Sequence, residues 1–349
     1  MQSSSKKWVI SGVVFLFIAI GLLVWRFLPS AEPVRKPTQQ EATQTQLATL
    51  NGILAKPEIA HRRPLAVMVE NHPDARPQSG LSNAEVVYEM AAEGGITRYL
   101  ALFQKDSPNI GPVRSAREYY AEIADSYGAL YAHVGGSPEV IAKLKAKAFP
   151  HLVDVNQFYN DSTFERVLQR AAPHNVYTST DKLLKYLSDH DLPRTLDSTP
   201  FAFSSVTEQS SQVANKITLN FSTESYKVEF KYDVIAKTYS RFLAGEMDID
   251  AENKKQLSPT TVIVQLTDVA EIPGDEKGRM SIRTNGSGKA FIFRNGGVVQ
   301  GTWKRNQGEL AKYFDAHGNI VVLNPGQIWI GLISRTNPNA VVWTSPLSH

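Results

Sequence analysis

Apolar and polar positions alternate differently in successive stretches of the chain, and each pattern predicts a different structure. Residues 8–25 are an uncharged, almost uniformly apolar run preceded by Lys6 and Lys7, with Trp8 and Trp25 at its ends. As a helix this run is about 27 Å long, and Arg26, Phe27 and Leu28 extend it with the arginine reaching to the interface. The paired tryptophans fit an aromatic belt. Such a segment is either a retained signal-anchor or a cleaved signal peptide. The poor match of Pro29, Ser30 and Ala31 to a cleavage site favours the anchor. Residues 29–60 are rich in Pro, Gln, Thr and Ala, too poor in bulky apolar side chains to fold alone, and are expected as a flexible linker.

From residue 61 the pattern becomes that of a folded body. Residues 65–69 read as a buried strand, followed by a turn-rich stretch to residue 82, and residues 84–90 as a strand or short helix carrying Glu85 and Glu89. A strand over 99–103 leads through a Gly-Pro bend to Ser115, which with Glu118 forms a capping box and predicts a helix from there to about residue 127. A strand over 129–134 ends in Gly135-Gly136-Ser137-Pro138, the signal for a second helix running to about residue 149. Residues 152–155 suit a strand, Ser162 with Glu165 a further capping box, and residues 180–190 an amphipathic helix. Strands alternating with helices indicate an α/β arrangement.

After residues 192–200 the period drops from 3.6 to 2. Ile217, Leu219 and Phe221 alternate, as do Val228, Phe230 and Tyr232, and Asn295-Gly296-Gly297 is a hairpin turn between two apolar stretches. Strands are expected over 262–266, 320–323 and 328–333. The expected organisation is α+β overall: a membrane anchor with a short cytoplasmic tail over 1–28, the linker over 29–60, an α/β domain over 61–195 and a mainly antiparallel β domain, sandwich or small barrel, over 200–349.

Composition removes several classes of function. A net charge of +3 without a basic stripe argues against nucleic acid as a partner. The absence of cysteine excludes disulfides, thiolate chemistry and a lipid-bearing N-terminal cysteine, and leaves any transition metal dependent on His and carboxylates. No cofactor motif is present, and no His pair has the tight spacing of a metal site.

The sharpest chemical hint is an anion site. Arg114 and Arg117 flank the helix start expected at Ser115, with Arg98 on the strand before it, and a helix N-terminus with guanidiniums beside it suits a carboxylate or phosphate. Gly135, Gly136 and Ser137 form a possible backbone nest. The competing explanation pairs Arg117 with a carboxylate such as Glu118 or Glu122 and bonds Arg114 to carbonyls of the turn. His72, His133 and His174, in bends or at a strand end, are candidate acid/base groups together with Glu70 and Glu89, although buried or capping histidines are the commoner case. Trp303, Trp329 and Trp343 are expected as core. No pattern names a reaction, so whether the chain is an enzyme is left open.

The segments RPLAVMVENHPDARPQSGLSNAEVVYE, EGGITRYLALF, IGPVRSAREYY, HVGGSPE and APHNVYTS, with GRMSIRTNGSGKAFIFRNGGVVQGTWKR and NPGQIWIGLI, resemble the YerB-like family over most of residues 62–335. These are bacterial membrane-tethered extracytoplasmic proteins, often lipoproteins, with paired N- and C-terminal parts of unknown function. This chain departs from the lipoprotein members in lacking the lipid-accepting cysteine, and its apolar run, as a single pass in the cell membrane, would replace that tether; the resemblance implies a body outside the cytoplasm. Its partners would be a cell-wall precursor, a polymer or an envelope-assembly protein. Two functions follow as expectations: binding of an anionic ligand or protein partner, or an envelope hydrolase or transferase acting on a phosphorylated or saccharide substrate.

Overall fold

The computed structural model describes residues 45–196, 199–206, 210 and 212–345. The expected span at 8–25 lies outside these residues, and among them no helix is long and apolar enough to cross a membrane. In chain order the principal strands are β1 (Leu65–Glu70), β2 (Val86–Glu93), β3 (Ile96–Phe103), β4 (Leu130–His133), β5 (Val153–Asn156), β6 (Lys216–Asn220), β7 (Lys227–Asp233), β8 (Thr238–Leu243), β9 (Glu246–Met247), β10 (Thr261–Thr267), β11 (Gly286–Arg294), β12 (Gly297–Arg305), β13 (Lys312–Phe314), β14 (Ile328–Ser334) and β15 (Val341–Thr344). The principal helices are α1 (Glu118–Ser126), α2 (Pro138–Lys145) and α3 (Thr180–Asp189).

One ten-stranded sheet, in the order β13-β12-β11-β10-β14-β2-β3-β1-β4-β5, runs through the molecule. Its centre is buried on both faces because β1, β2 and β3 are apolar at nearly every position. Successive side chains point to opposite sides. Val67, Val87, Tyr99 and Phe103 therefore enter one core, and Ala66, Met68, Tyr88 and Leu100 the other. α3 and the second sheet, β9-β8-β7-β6-β15, contribute to the first core through Leu183, Leu187, Ile217, Leu219, Val228 and Phe230. α1 and α2 contribute Tyr119, Tyr120, Ile123, Val140 and Leu144 to the second.

The boundary expected at 195–200 does not interrupt this sheet. β14 lies parallel to β2, with Trp329 opposite Val87 and Gly331 opposite Glu89, and parallel to β10 on its other side. The rest of the segment after residue 200 is mainly antiparallel β, as its period of 2 predicts, and its two sheets share a core as layers of a sandwich. Residues 320–323 make only isolated bridges, Ile320 to Phe314 and Leu323 to Phe203. Trp303 and Trp329 are wholly buried core, as expected. Asn295 and Gly296, with φ of 53° and 70°, form the two-residue turn joining β11 to β12, where both central residues must be left-handed.

Three local expectations fail for identifiable reasons. The linker expected over 29–60 does not hold for its later part, where Leu50 is fully buried and its N–H is held by the Gln104 side chain at 3.1 Å; residues 29–44 lie outside the described residues. The first helix starts at Glu118 rather than Ser115: residues 113–116 are drawn into extended pairing, with Arg114 N–H on Met68 O at 2.9 Å and Ala116 N–H on Gly135 O at 3.0 Å. Ser162 and Glu165 open no helix; Glu165–Arg166 forms a short strand paired with Val176–Tyr177.

Candidate functional site

The strand ends of β1 and β3 and the loops after them gather most of the predicted charge. Glu70 closes β1, buried to 2% exposure. Its Oε1 accepts the backbone N–H groups of Asn71 at 3.1 Å and His72 at 3.3 Å, and its Oε2 pairs with Nε of Arg114. Arg98, opposite Glu70 in the β1–β3 register, is 1% exposed; its Nη2 meets Glu93 Oε1 at 2.5 Å, its Nη1 donates to Ser115 O at 3.3 Å, and its Nε lies 3.8 Å from Glu70. Arg117 pairs with the other oxygen of Glu93. Burial by itself opposes charge on Arg98, but Glu70 and Glu93 hold its pKa above the usual value. Burial likewise pushes the Glu93 carboxyl up, and Arg98 and Arg117 together outweigh it, leaving Glu93 below its ordinary range.

This arrangement corrects the anion site read from the sequence. Arg98 and Arg117 are spent on the protein's own carboxylates, and Arg98 has no access to solvent. Of the three, Arg114 has the most exposed side chain, at 25%, and it is already held by Glu70. Nor is the Gly135-Gly136-Ser137 turn an open nest: Gly135 N–H is taken by Asn156 Oδ1 at 3.0 Å, and Ser137 caps α2 by accepting from Val140 N–H at 3.4 Å. Ser137 and Arg117 do share a cleft of about 200 Å³ with Glu139 and Arg279.

The histidines divide. His133 is fully buried, with Nδ1 2.7 Å from Gly135 O in the turn that follows and Nε2 2.7 Å from Asp154 Oδ1 on β5, so both nitrogens are occupied within the fold and it is withdrawn as an acid/base candidate. His72 and His174 are brought together instead. Their rings lie 5.1 Å apart between centroids and 17° from parallel, at the rim beside Glu70 and Arg114. Burial lowers the His174 pKa below its ordinary value, Arg114 and His72 add to the effect, and Glu70 and Asp74 oppose it. His174 Nδ1 is buried without a hydrogen-bond partner.

Glu89 is wholly buried and is no proton-transfer group open to a substrate. Its Oε1 accepts from Thr97 Oγ1 at 3.0 Å, and its Oε2 from Arg241 Nη2 at 2.9 Å and Trp329 Nε1 at 3.0 Å. Arg241, also fully buried, pairs with Asp248 and lies over the Trp329 ring at 4.3 Å. The chain of bonds continues upward: Asn71 Nδ2 donates to Thr97 Oγ1 at 2.7 Å, and Asn71 Oδ1 accepts from Arg76 Nε and Gln78 Nε2, each at 3.1 Å. Sequence reading missed Asp74, Arg76, Asn71 and Arg241. The turn-rich stretch 71–82 was visible, but nothing local to Arg241, in a period-2 strand, marks it as buried.

Three segments quoted for the family resemblance thus meet here: NHPDARPQSG supplies His72, IGPVRSAREYY supplies Arg114, and APHNVYTS supplies His174. Residues 50–193 match the model "Protein of unknown function (DUF3048) N-terminal domain" and residues 217–330 match its C-terminal counterpart. The chain is 30% identical over 332 residues to "Putative lipoprotein YerB" of Bacillus subtilis (strain 168), covering 94% of this chain and 96% of that protein. The crystal structure of YerB protein from Bacillus subtilis superposes with a TM-score of 0.77 at 30% identity, over 86% of this chain and all of the other. By sequence and by fold alike, the chain belongs to the YerB-like family with paired DUF3048 N- and C-terminal domains.

Proposed function

We propose that this is a single-pass cell-envelope protein, anchored by residues 8–25, whose extracytoplasmic body binds an anionic ligand or an acidic segment of a protein partner. The naming of its Bacillus subtilis relative as a lipoprotein supports the membrane-tethered, outward placement, with an apolar span here in place of a lipid. The observation that carries the binding reading is the stacking of His72 and His174, from loops far apart in sequence, beside the exposed edge of Arg114. Loops held on a rigid sheet are a common setting for recognition. A cell-wall precursor, a polymer or an envelope-assembly protein is the expected class of partner.

The test is capture of partners from the cell's own membranes by the full-length chain. The double variant His72→Ala/His174→Ala should lose the captured species while keeping its melting temperature. Identical capture by a folded double variant would remove this face from the account. The rival reading, an envelope hydrolase or transferase acting on a phosphorylated or saccharide substrate, draws on the same gathering of two imidazoles, a carboxylate and an arginine. Turnover of a lipid-linked pyrophosphate by the wild type, lost in the double variant, would favour it.

A further inference from the structure

We infer that His72, Asp74 and His174 form a binding site for a divalent transition-metal ion of borderline softness, Zn²⁺ being the natural probe. One ligand atom from each side chain lies within 4.8 Å of the other two. Two imidazoles and a carboxylate are the donor set such an ion prefers where no thiolate exists, and this chain has no cysteine. Bonds of about 2.0–2.2 Å to zinc set tetrahedral ligand atoms roughly 3.3–3.5 Å apart, so the three must close by about an ångström. The freedom to do so is present: the Asp74 side chain is 75% exposed and that of His72 37%, and His72 Nδ1 already stands 3.6 Å from Asp74 Oδ2.

Three further observations support the site. His174 Nδ1 is buried with no protein partner, the condition in which a polar atom gains most from a new ligand. The backbone on both sides is fixed: His72 N–H is held by Glu70, and His174 N–H bonds to Ala171 O at 3.0 Å. Arg114, the guanidinium that acts on His174, is paired with Glu70, which offsets its repulsion of a cation. Asp74 N–H donates to His72 Nδ1 at 3.2 Å, a bond given up if that nitrogen becomes the ligand. Three protein ligands leave a coordination position open, to which a carboxylate or phosphate oxygen could bind. The inference therefore deepens the reading of this face as one that accepts anionic groups, and rests on it only in that last step.

The experiment titrates the full-length, tag-free chain in detergent, stripped with EDTA, with Zn²⁺ by calorimetry and with Co²⁺ by visible absorbance. One equivalent per chain is expected. Asp74→Ala and His174→Ala should each weaken binding about tenfold or more, and His317→Ala, in the exposed turn beside Asp315, should leave it unchanged. Asp74→Ala removes an exposed side chain and keeps the test valid should a histidine variant melt early. No stoichiometric Zn²⁺ binding, or equal binding by wild type and Asp74→Ala, would overturn the site. Chelator-resistant partner capture by a protein that binds zinc would leave the metal site standing and sever it from partner binding. Loss of capture with no zinc binding would do the reverse.

Discussion

Arg241 donates from Nη2 to the Glu89 carboxylate at 2.9 Å, both side chains wholly buried and 152 positions apart in the chain. Glu89 sits on β2, Arg241 on β8, and Trp329 of β14 donates to the same carboxylate oxygen. One carboxylate thus binds the segment before residue 195 to the segment after 200, within the core that the two sheets share. Glu89→Gln and Arg241→Met should each destabilise the fold by about 3–5 kcal/mol, because each strands a buried charge. In guanidinium unfolding the double variant should lose clearly less than the sum of the two. Additivity to within about 0.5 kcal/mol would show that the pair does not act as a unit.

Glu93 makes stability depend on acid. Its ordinary value is 4.5, and in the folded chain it lies lower, so the folded state binds this proton less readily than the unfolded one. The Glu93 contribution is present above that value and is lost as pH falls through the folded pKa. Glu85 works in the opposite sense. Burial raises its carboxyl above 4.5 despite Lys105, so its share of stability is present at low pH and lost as pH rises towards the folded value. Chemical unfolding from pH 3 to 7 should therefore show a smaller acid loss in Glu93→Gln than in wild type. Glu85→Gln should show a steeper one. A wild-type profile unaltered by Glu93→Gln would place the acid sensitivity elsewhere.

Gly135 takes a left-handed φ of +60°, and a Cβ there would come 2.7 Å from Phe158 Cε2. The Phe158 side chain is 63% exposed and free to swing away, so backbone strain decides the outcome. Gly135→Ala should cost about 1–2 kcal/mol, read as a lowered melting temperature. An unchanged melting temperature would mean the turn between β4 and α2 relaxes without strain.

Glu70→Gln removes the carboxylate that holds Arg114. The variant should be less stable than wild type, since Arg98 and Arg114 lose a buried counter-charge. It should also gain affinity for inorganic phosphate, seen as a larger phosphate-induced rise in melting temperature than wild type shows. A weaker phosphate response than wild type would argue that Arg114 is not a latent anion ligand.

Much of the architecture was legible. The apolar run of β1, the hairpin at Asn295-Gly296, the Ser137 cap with Pro138 behind it, and the period-2 strands after residue 200 all depend on neighbours within a few positions. The capping box at Ser115 misled for the same reason. It described a local preference, which extended pairing of residues 113–116 to Met68 and Gly135 overrode. Arg98, Arg114 and Arg117 were rightly seen as a cluster, because one strand and one loop carry them all. Of the acids they meet, Glu70 was read only as an acid/base candidate, and nothing local marked Glu93 as a partner.

By itself the sequence determined most of the strands and helices and the main turns, which family the chain resembles and that cysteine chemistry is closed to it. Tertiary structure alone decided that Glu89 is a buried counter-ion, that His133 is a strut, and that His72 and His174 share a face with Asp74. Periodicity is set by the few residues on either side of a position. The partner of a charge is set by which strands and loops the sheet lays side by side, and for Glu89 those come from segments 152 and 240 residues away.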